Sequence, residues 1–174
     1  MKRVEAVTKI DYPKYKKFYQ FSQFRGKRYK WGPFILYGST IIMIFLAIGV
    51  SLFPTPPIVW LPAYVLACSL TIFALSNLFL PKLQFKGLAY QLKIPQHFLF
   101  LEDRMEISTH AGDSVLEYAE IDKVYETEDT FYIYITKRQA IIVAKQDFTQ
   151  GHSGILRKQF EKKLGKKFVR CYRA

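Results

Sequence analysis

Residues 31–81 read WGPFILYGSTIIMIFLAIGVSLFPTPPIVWLPAYVLACSLTIFALSNLFLP and contain no Asp, Glu, Lys or Arg, although charges are dense on both sides. As one helix the run would extend about 75 Å at ~1.5 Å per residue, more than twice the ~30 Å hydrocarbon core of a bilayer. It has the length of two crossings, and its middle holds a breaker, Phe53-Pro54-Thr55-Pro56-Pro57. Proline lacks the backbone donor and clashes with the preceding turn, so the cluster ends one helix. Pro57 is then tolerated in the first turn of the next. The spacing predicts helices over 34–53 and 58–80. Each carries twelve Ile, Leu, Phe or Val residues, which favour insertion by roughly 4 to 7 kcal/mol. The chain reads as a membrane protein.

The flanks set the orientation. Ten Lys or Arg residues precede the first helix, from Lys2 to Lys30, against Glu5 and Asp11 alone, and Lys82, Lys86 and Lys93 follow the second. The loop between them is uncharged. Cytoplasmic flanks carry the excess of Lys and Arg, so both termini are expected in the cytoplasm, with the Pro-rich loop outside. Trp31, Tyr37 and Trp60 stand near helix ends, where aromatic rings settle at headgroup level.

The remaining composition fits that frame. A chain of 174 residues, 50% hydrophobic, has room for a membrane hairpin and one small globular domain. The net charge of +12 concentrates beside the membrane, where the cytoplasmic leaflet is anionic. No nucleic-acid recognition motif accompanies it, so nucleic acid is not an expected partner. Cys68 falls mid-membrane and Cys171 near the end of the chain, so no disulfide scaffold is expected. The first thirty residues are basic and aromatic rather than apolar, so no cleavable leader is expected and the first helix is expected to be the insertion signal. The chain therefore divides into a basic, aromatic cytoplasmic segment with a juxtamembrane helix (1–32), a transmembrane hairpin (33–81) and a cytoplasmic domain (82–174).

In the first segment, 4–10 suits a short strand, and Asp11 suits a helix N-cap with Pro13 inside the first turn. Aromatic residues then recur from Tyr12 to Phe24 among lysines and arginines. This pattern fits an interfacial helix with rings among the headgroups, or a helix packed on the cytoplasmic domain. Lys16, Lys17, Arg28 and Lys30 are the candidate headgroup contacts here.

After Pro81 the apolar period becomes two, the signal for strands. Leu88, Tyr90, Leu92 and Ile94 alternate and predict a strand over 88–94, closed by Pro95. Further strands are expected at 98–101, 105–109, 115–118, 121–126, 131–136 and 140–145, with Gly112 free to take a positive φ in a hairpin turn. Leu156, Phe160 and Leu164 then share one helical stripe, capped by Gly165. The expected fold is α+β: a two-helix transmembrane hairpin plus a small antiparallel half-barrel capped by a C-terminal helix, the element order of a pleckstrin-homology-like (PH-like) domain.

Residues 118–148, YAEIDKVYETEDTFYIYITKRQAIIVAKQDF, resemble the YcxB-like family of small bacterial membrane proteins. Tyr118, Ile121, Val124, Phe131, Tyr132 and Lys145 are among the positions that carry the resemblance. Tyr118 stands where such domains often have Trp. The resemblance implies two membrane helices, a cytoplasmic PH-like domain and residence in the bacterial plasma membrane. It implies no reaction.

Chemistry-bearing patterns are sparse. His97, His110 and His152 are isolated, without the paired spacing a metal site needs. Nucleophile-elbow and Ser-x-x-Lys patterns are absent, and Gly151-His152-Ser153-Gly154 reads as a loop and cap. No enzymatic activity, cofactor or metal is expected. Ten acidic residues lie between Glu102 and Asp129 against Arg104 and Lys123 alone, whereas eight Lys or Arg residues from Arg157 onward face Glu161 alone. Anionic lipid would repel the acidic hairpins, which are expected to face the cytosol, and attract the basic C-terminal helix through Lys163 and Lys167. Partners expected on these grounds are the bilayer itself, anionic headgroups, and a cytosolic or membrane protein bound by the domain. The alternative is an oligomeric membrane subunit or small pore held together through Ser69, Thr71, Ser76 and Asn77.

Overall fold

The computed structural model describes residues 3–25, 30–52, 57–110 and 112–172. The proline-rich loop at 53–56 and the candidate Arg28 lie outside the described residues. The chain begins with strand β1 (Val4–Thr8) and helix α1 (Tyr12–Gln23), then two long apolar helices, α2 (Gly32–Ser51) and α3 (Pro57–Leu92). Eight strands and one helix follow in the order β2 (Gln96–Phe100), β3 (Arg104–Thr109), β4 (Gly112–Glu117), β5 (Lys123–Glu126), β6 (Thr130–Tyr134), β7 (Ala140–Ala144), β8 (Phe148–Gln150), α4 (Ser153–Leu164) and β9 (Phe168–Arg170).

Helices α2 and α3 are each long and apolar enough to cross a membrane, and only 11% of the apolar window in each is buried. The core helix of a soluble protein would bury far more of such a surface. Leu36, Thr40, Ala47, Ala67 and Ala74 are among their buried positions. Mostly small residues there let the two backbones approach, the usual packing of helices in lipid.

The second helix corrects the boundary expected at residue 80 and the strand expected over 88–94. Pro81 lies inside α3, which runs on to Leu92. Proline removes one intrahelical bond but does not end a helix whose other turns are intact. The alternation of Leu88, Tyr90 and Leu92 is incidental, because Phe85 and Leu92 are the residues that pack inward. Their spacing of two helical turns places them on one face, while Leu88 and Tyr90 are exposed.

The strands form two sheets, in the orders β4-β3-β2-β1-β8 and β7-β6-β5-β9. In the first, β1 lies between β2 and β8, antiparallel to both. An N-terminal segment that precedes both long apolar helices thus supplies an interior strand to a sheet built after them. The second sheet departs from the expected all-antiparallel meander: β9 pairs with β5 in parallel, Val124 opposite Phe168. A parallel pair needs a crossover, and α4 provides it.

The principal core lies between the sheets and beneath α4. Phe160 of α4 stands at its centre, with Phe100, Tyr118 and Phe131 meeting its ring edge-on at centroid distances of 6.1, 5.6 and 6.1 Å. Gly165 closes α4 at φ +51°, the backbone region glycine enters most easily.

A second, smaller core explains the aromatic N-terminal helix. Asp11 caps α1 by accepting from the Lys14 amide at 2.9 Å, as expected. Phe21 of α1 stacks on Tyr132 of β6 at 4.5 Å and meets Tyr125 of β5 edge-on at 5.3 Å. On its other side Tyr12 and Tyr15 contact Phe85 of α3, and the Tyr15 hydroxyl donates to the Gln84 side chain at 3.0 Å. Helix α1 is therefore wedged between the second sheet and the end of α3. That is why all five residues of β6 are buried: one face meets the principal core and the other meets α1.

Candidate functional site

Strand β5 alternates, so Val124 and Glu126 point to the same, inner side. Val124 belongs in a core; Glu126 is a carboxylate with no exposed surface. Its compensation comes from three separate elements. Arg157 of α4 donates through Nε to both carboxylate oxygens at 2.9 Å and through Nη2 to Oε1 at 2.7 Å. Lys145, just after β7, places Nζ 2.7 Å from Oε1. Tyr172, after β9, donates its hydroxyl at 2.8 Å. The Lys145 ammonium also sits 5.3 Å from the Phe131 ring centroid and 4.7 Å from that of Tyr172, within cation–π range.

Burial by itself would push the Glu126 carboxyl up; the bonds from Arg157, Lys145 and Tyr172 outweigh it and hold the group below the ordinary carboxylate value. A carboxylate locked ionised is a weak base, and proton transfer near neutrality needs a group poised close to that pH. What the arrangement does is join elements. Backbone bonds run alongside it, from the Cys171 amide to the Glu126 carbonyl at 2.8 Å and from the Lys145 amide to the Asp129 carbonyl at 2.7 Å.

Tyr118 makes a second polar link at the other end of the core. Its hydroxyl donates to the Leu101 carbonyl at 2.8 Å and accepts from Gln159 at 3.2 Å. Burial, with a smaller contribution from Asp103, raises its pKa well above the usual tyrosine value. Ile121, Val124 and Phe131 are fully buried in the principal core, and Tyr132 is buried in the second.

Residues 100–160 match the family model described as YcxB-like protein. The chain carries a YcxB-like domain. Its matched limits, Phe100 and Phe160, are themselves in ring contact across the core. Comparison with curated proteins and with solved structures returned no match.

The candidate lysines around the YcxB-like domain separate into two places. Lys17 of α1 and Lys30, just before α2, come together over the β5–β6 turn, where their ammonium groups lie 2.6 Å from Asp129 and 2.6 Å from Glu128. This turn, expected with the acidic hairpins away from the membrane, lies instead beside Pro33 and Phe34 at the start of α2. Lys16 is half-buried on α1. Lys163 of α4 pairs with Asp103, and Lys167 donates to the carbonyls of Ala119 and Ile121 at 3.2 and 2.8 Å. Both serve contacts within the domain.

The polar side chains of α3 also turn inward on their own helix. Ser69, Thr71, Ser76 and Asn77 donate to carbonyls three or four residues earlier, at 2.7, 2.7, 2.7 and 2.8 Å. Among the described residues no group of three or more His, Cys, Asp and Glu side chains converges as a metal site.

The Glu126 cluster escaped sequence reasoning because its cations, Lys145 and Arg157, lie 19 and 31 residues away, on elements whose register only the fold reveals. One signal was available: a glutamate two residues after Val124, at an inward position of an alternating strand.

Proposed function

We propose that this chain is a non-enzymatic, multi-pass plasma-membrane protein in which α2 and α3 anchor a PH-like interaction module on the cytoplasmic side. The observation that carries this reading is the distribution of exposed large apolar side chains. Among the described residues they run from Trp31 to Tyr90, and Val115 is the only one beyond. A soluble surface rarely exposes so continuous an apolar area, whereas the rest of the chain hides its own. Two sheets closed by a C-terminal helix support the PH-like assignment. The basic flanks support the cytoplasmic side. The ionised, fully paired state of Glu126 supports a scaffold rather than a reaction centre.

A pore or oligomeric subunit has less support, because Ser69, Thr71, Ser76 and Asn77 already bond within α3. Carbonate washing of native membranes, followed by photo-crosslinking from Glu117 on the exposed end of β4, tests the proposal. Retention in the pellet with a recurrent adduct to one cytosolic protein is expected. Release into the wash contradicts the anchor, and adducts confined to copies of the chain itself contradict the module.

A further inference from the structure

Beside the start of α2 is a groove of about 410 Å³, within the size range of small-ligand clefts. Lys17 and Lys30 face Asp129 and Glu128 in it, and Gln20, Pro33, Phe34, Thr127, Thr130 and Tyr132 line the rest. Phe34 is 74% exposed and Trp31, one turn before it, 68%, as befits residues at a bilayer surface. We infer that this groove binds the headgroup of a phospholipid bearing a primary ammonium and a phosphodiester, with the phosphate on Lys17 and Lys30 and the ammonium on Glu128 and Asp129. The inference rests on the membrane-anchored reading above.

Charge balance selects this ligand. The four side chains sum to zero and are already paired, two by two. A purely anionic headgroup would take the lysines and strand both carboxylates. A zwitterion with a primary ammonium exchanges each internal pair for an external one and leaves no group unpartnered. A quaternary ammonium balances the charge but has no N–H to donate, whereas a primary ammonium has three. The exchange is cheap, since Lys17 and Asp129 are 62% and 61% exposed, Lys30 and Glu128 50% and 57%, and ion pairs this open contribute little stability. The acyl chains would leave over Phe34, along α2.

The full-length chain in phosphatidylcholine nanodiscs provides the test. Phosphatidylethanolamine and phosphatidylglycerol are added at equal mole fraction, and the lipid retained on the protein is quantified by native mass spectrometry. Several-fold preferential retention of phosphatidylethanolamine over both other lipids is expected. The double substitution Glu128→Gln/Asp129→Asn should reverse the preference towards phosphatidylglycerol, and Lys17→Gln/Lys30→Gln should abolish it. All four positions are on the surface, and retention of the unfolding temperature confirms that the fold survives. Equal retention of the three lipids, or preference for phosphatidylglycerol in the unsubstituted protein, overturns the inference and leaves the anchor intact. A chain that fails to enter the nanodisc overturns the anchor and this inference with it.

Discussion

At the scale of single residues, Glu126 carries the most concentrated energetics. Removing one partner from a buried ion pair costs about 3–5 kcal/mol, because the remaining charges stay desolvated without compensation. Glu126→Gln leaves Lys145 and Arg157 in that state, and thermal unfolding in detergent should show a loss of this size, well beyond that of an exposed change such as Glu128→Gln. The same group sets an acid limit. Folding lowers its pKa, so as pH falls the unfolded chain takes up the proton first. Its contribution is complete above the ordinary carboxylate value of ~4.3 and is lost as pH falls through the lower folded value. Unfolding temperatures of the native protein should therefore drop on acidification below that value, and the drop should be shallower in Glu126→Gln.

At the scale of elements, α1 is the unit that ties the long apolar helices to the sheets. Phe21 is fully buried and holds both Tyr125 and Tyr132, so Phe21→Ala should cost about 3–5 kcal/mol. Hydrogen exchange should then rise first in α1 and at the end of α3, ahead of the strands around Phe160. Where the chain leaves α1 for α2, Gly32 lies against Phe24: a Cβ added there would stand 2.2 Å from Phe24 Cγ and 2.7 Å from its Cβ. Atoms so near the backbone cannot swing aside cheaply, so Gly32→Val should separate the two helices, readable as faster proteolysis between residues 24 and 32.

Much of this element structure was legible in the chain. Charge-free length marked α2 and most of α3, Asp11 followed by Pro13 marked the start of α1, and the 156/160/164 stripe marked α4. Leu88, Tyr90 and Leu92 misled, because three residues of alternation also occur by chance on a helix whose true inward pair is Phe85 and Leu92. A strand over 131–136 was legible, but its cover on both faces was not, because the helix that covers it, α1, comes from a distant part of the chain. The short strands β8 and β9 have almost no pattern of their own: three residues each, formed because β1 and β5 offer them open edges.

At the scale of the whole molecule, the chain threads its first strand into a sheet completed after both long helices. The segments before α2 and after α3 must therefore lie on one side of any bilayer those helices cross, whatever the charges dictate. Strand pairing and the basic flanks are independent arguments that agree. The distribution of Lys and Arg made a common side for the two flanks legible from sequence, whereas the neutral pairing of Lys17 and Lys30 with Asp129 and Glu128 was hidden, since partners 112 and 98 residues apart leave no local pattern.

The most direct measurement is labelling of intact cells with a membrane-impermeant maleimide, in a Cys68→Ala background where Cys171 is buried. Single cysteines are placed at Thr55, between the long helices, and at Lys158, on the exposed face of α4. Two crossings with a cytoplasmic domain predict labelling of Thr55→Cys in intact cells and of Lys158→Cys only after permeabilisation. Equal labelling of both positions in intact cells, or the reverse order, would contradict the membrane-anchored account.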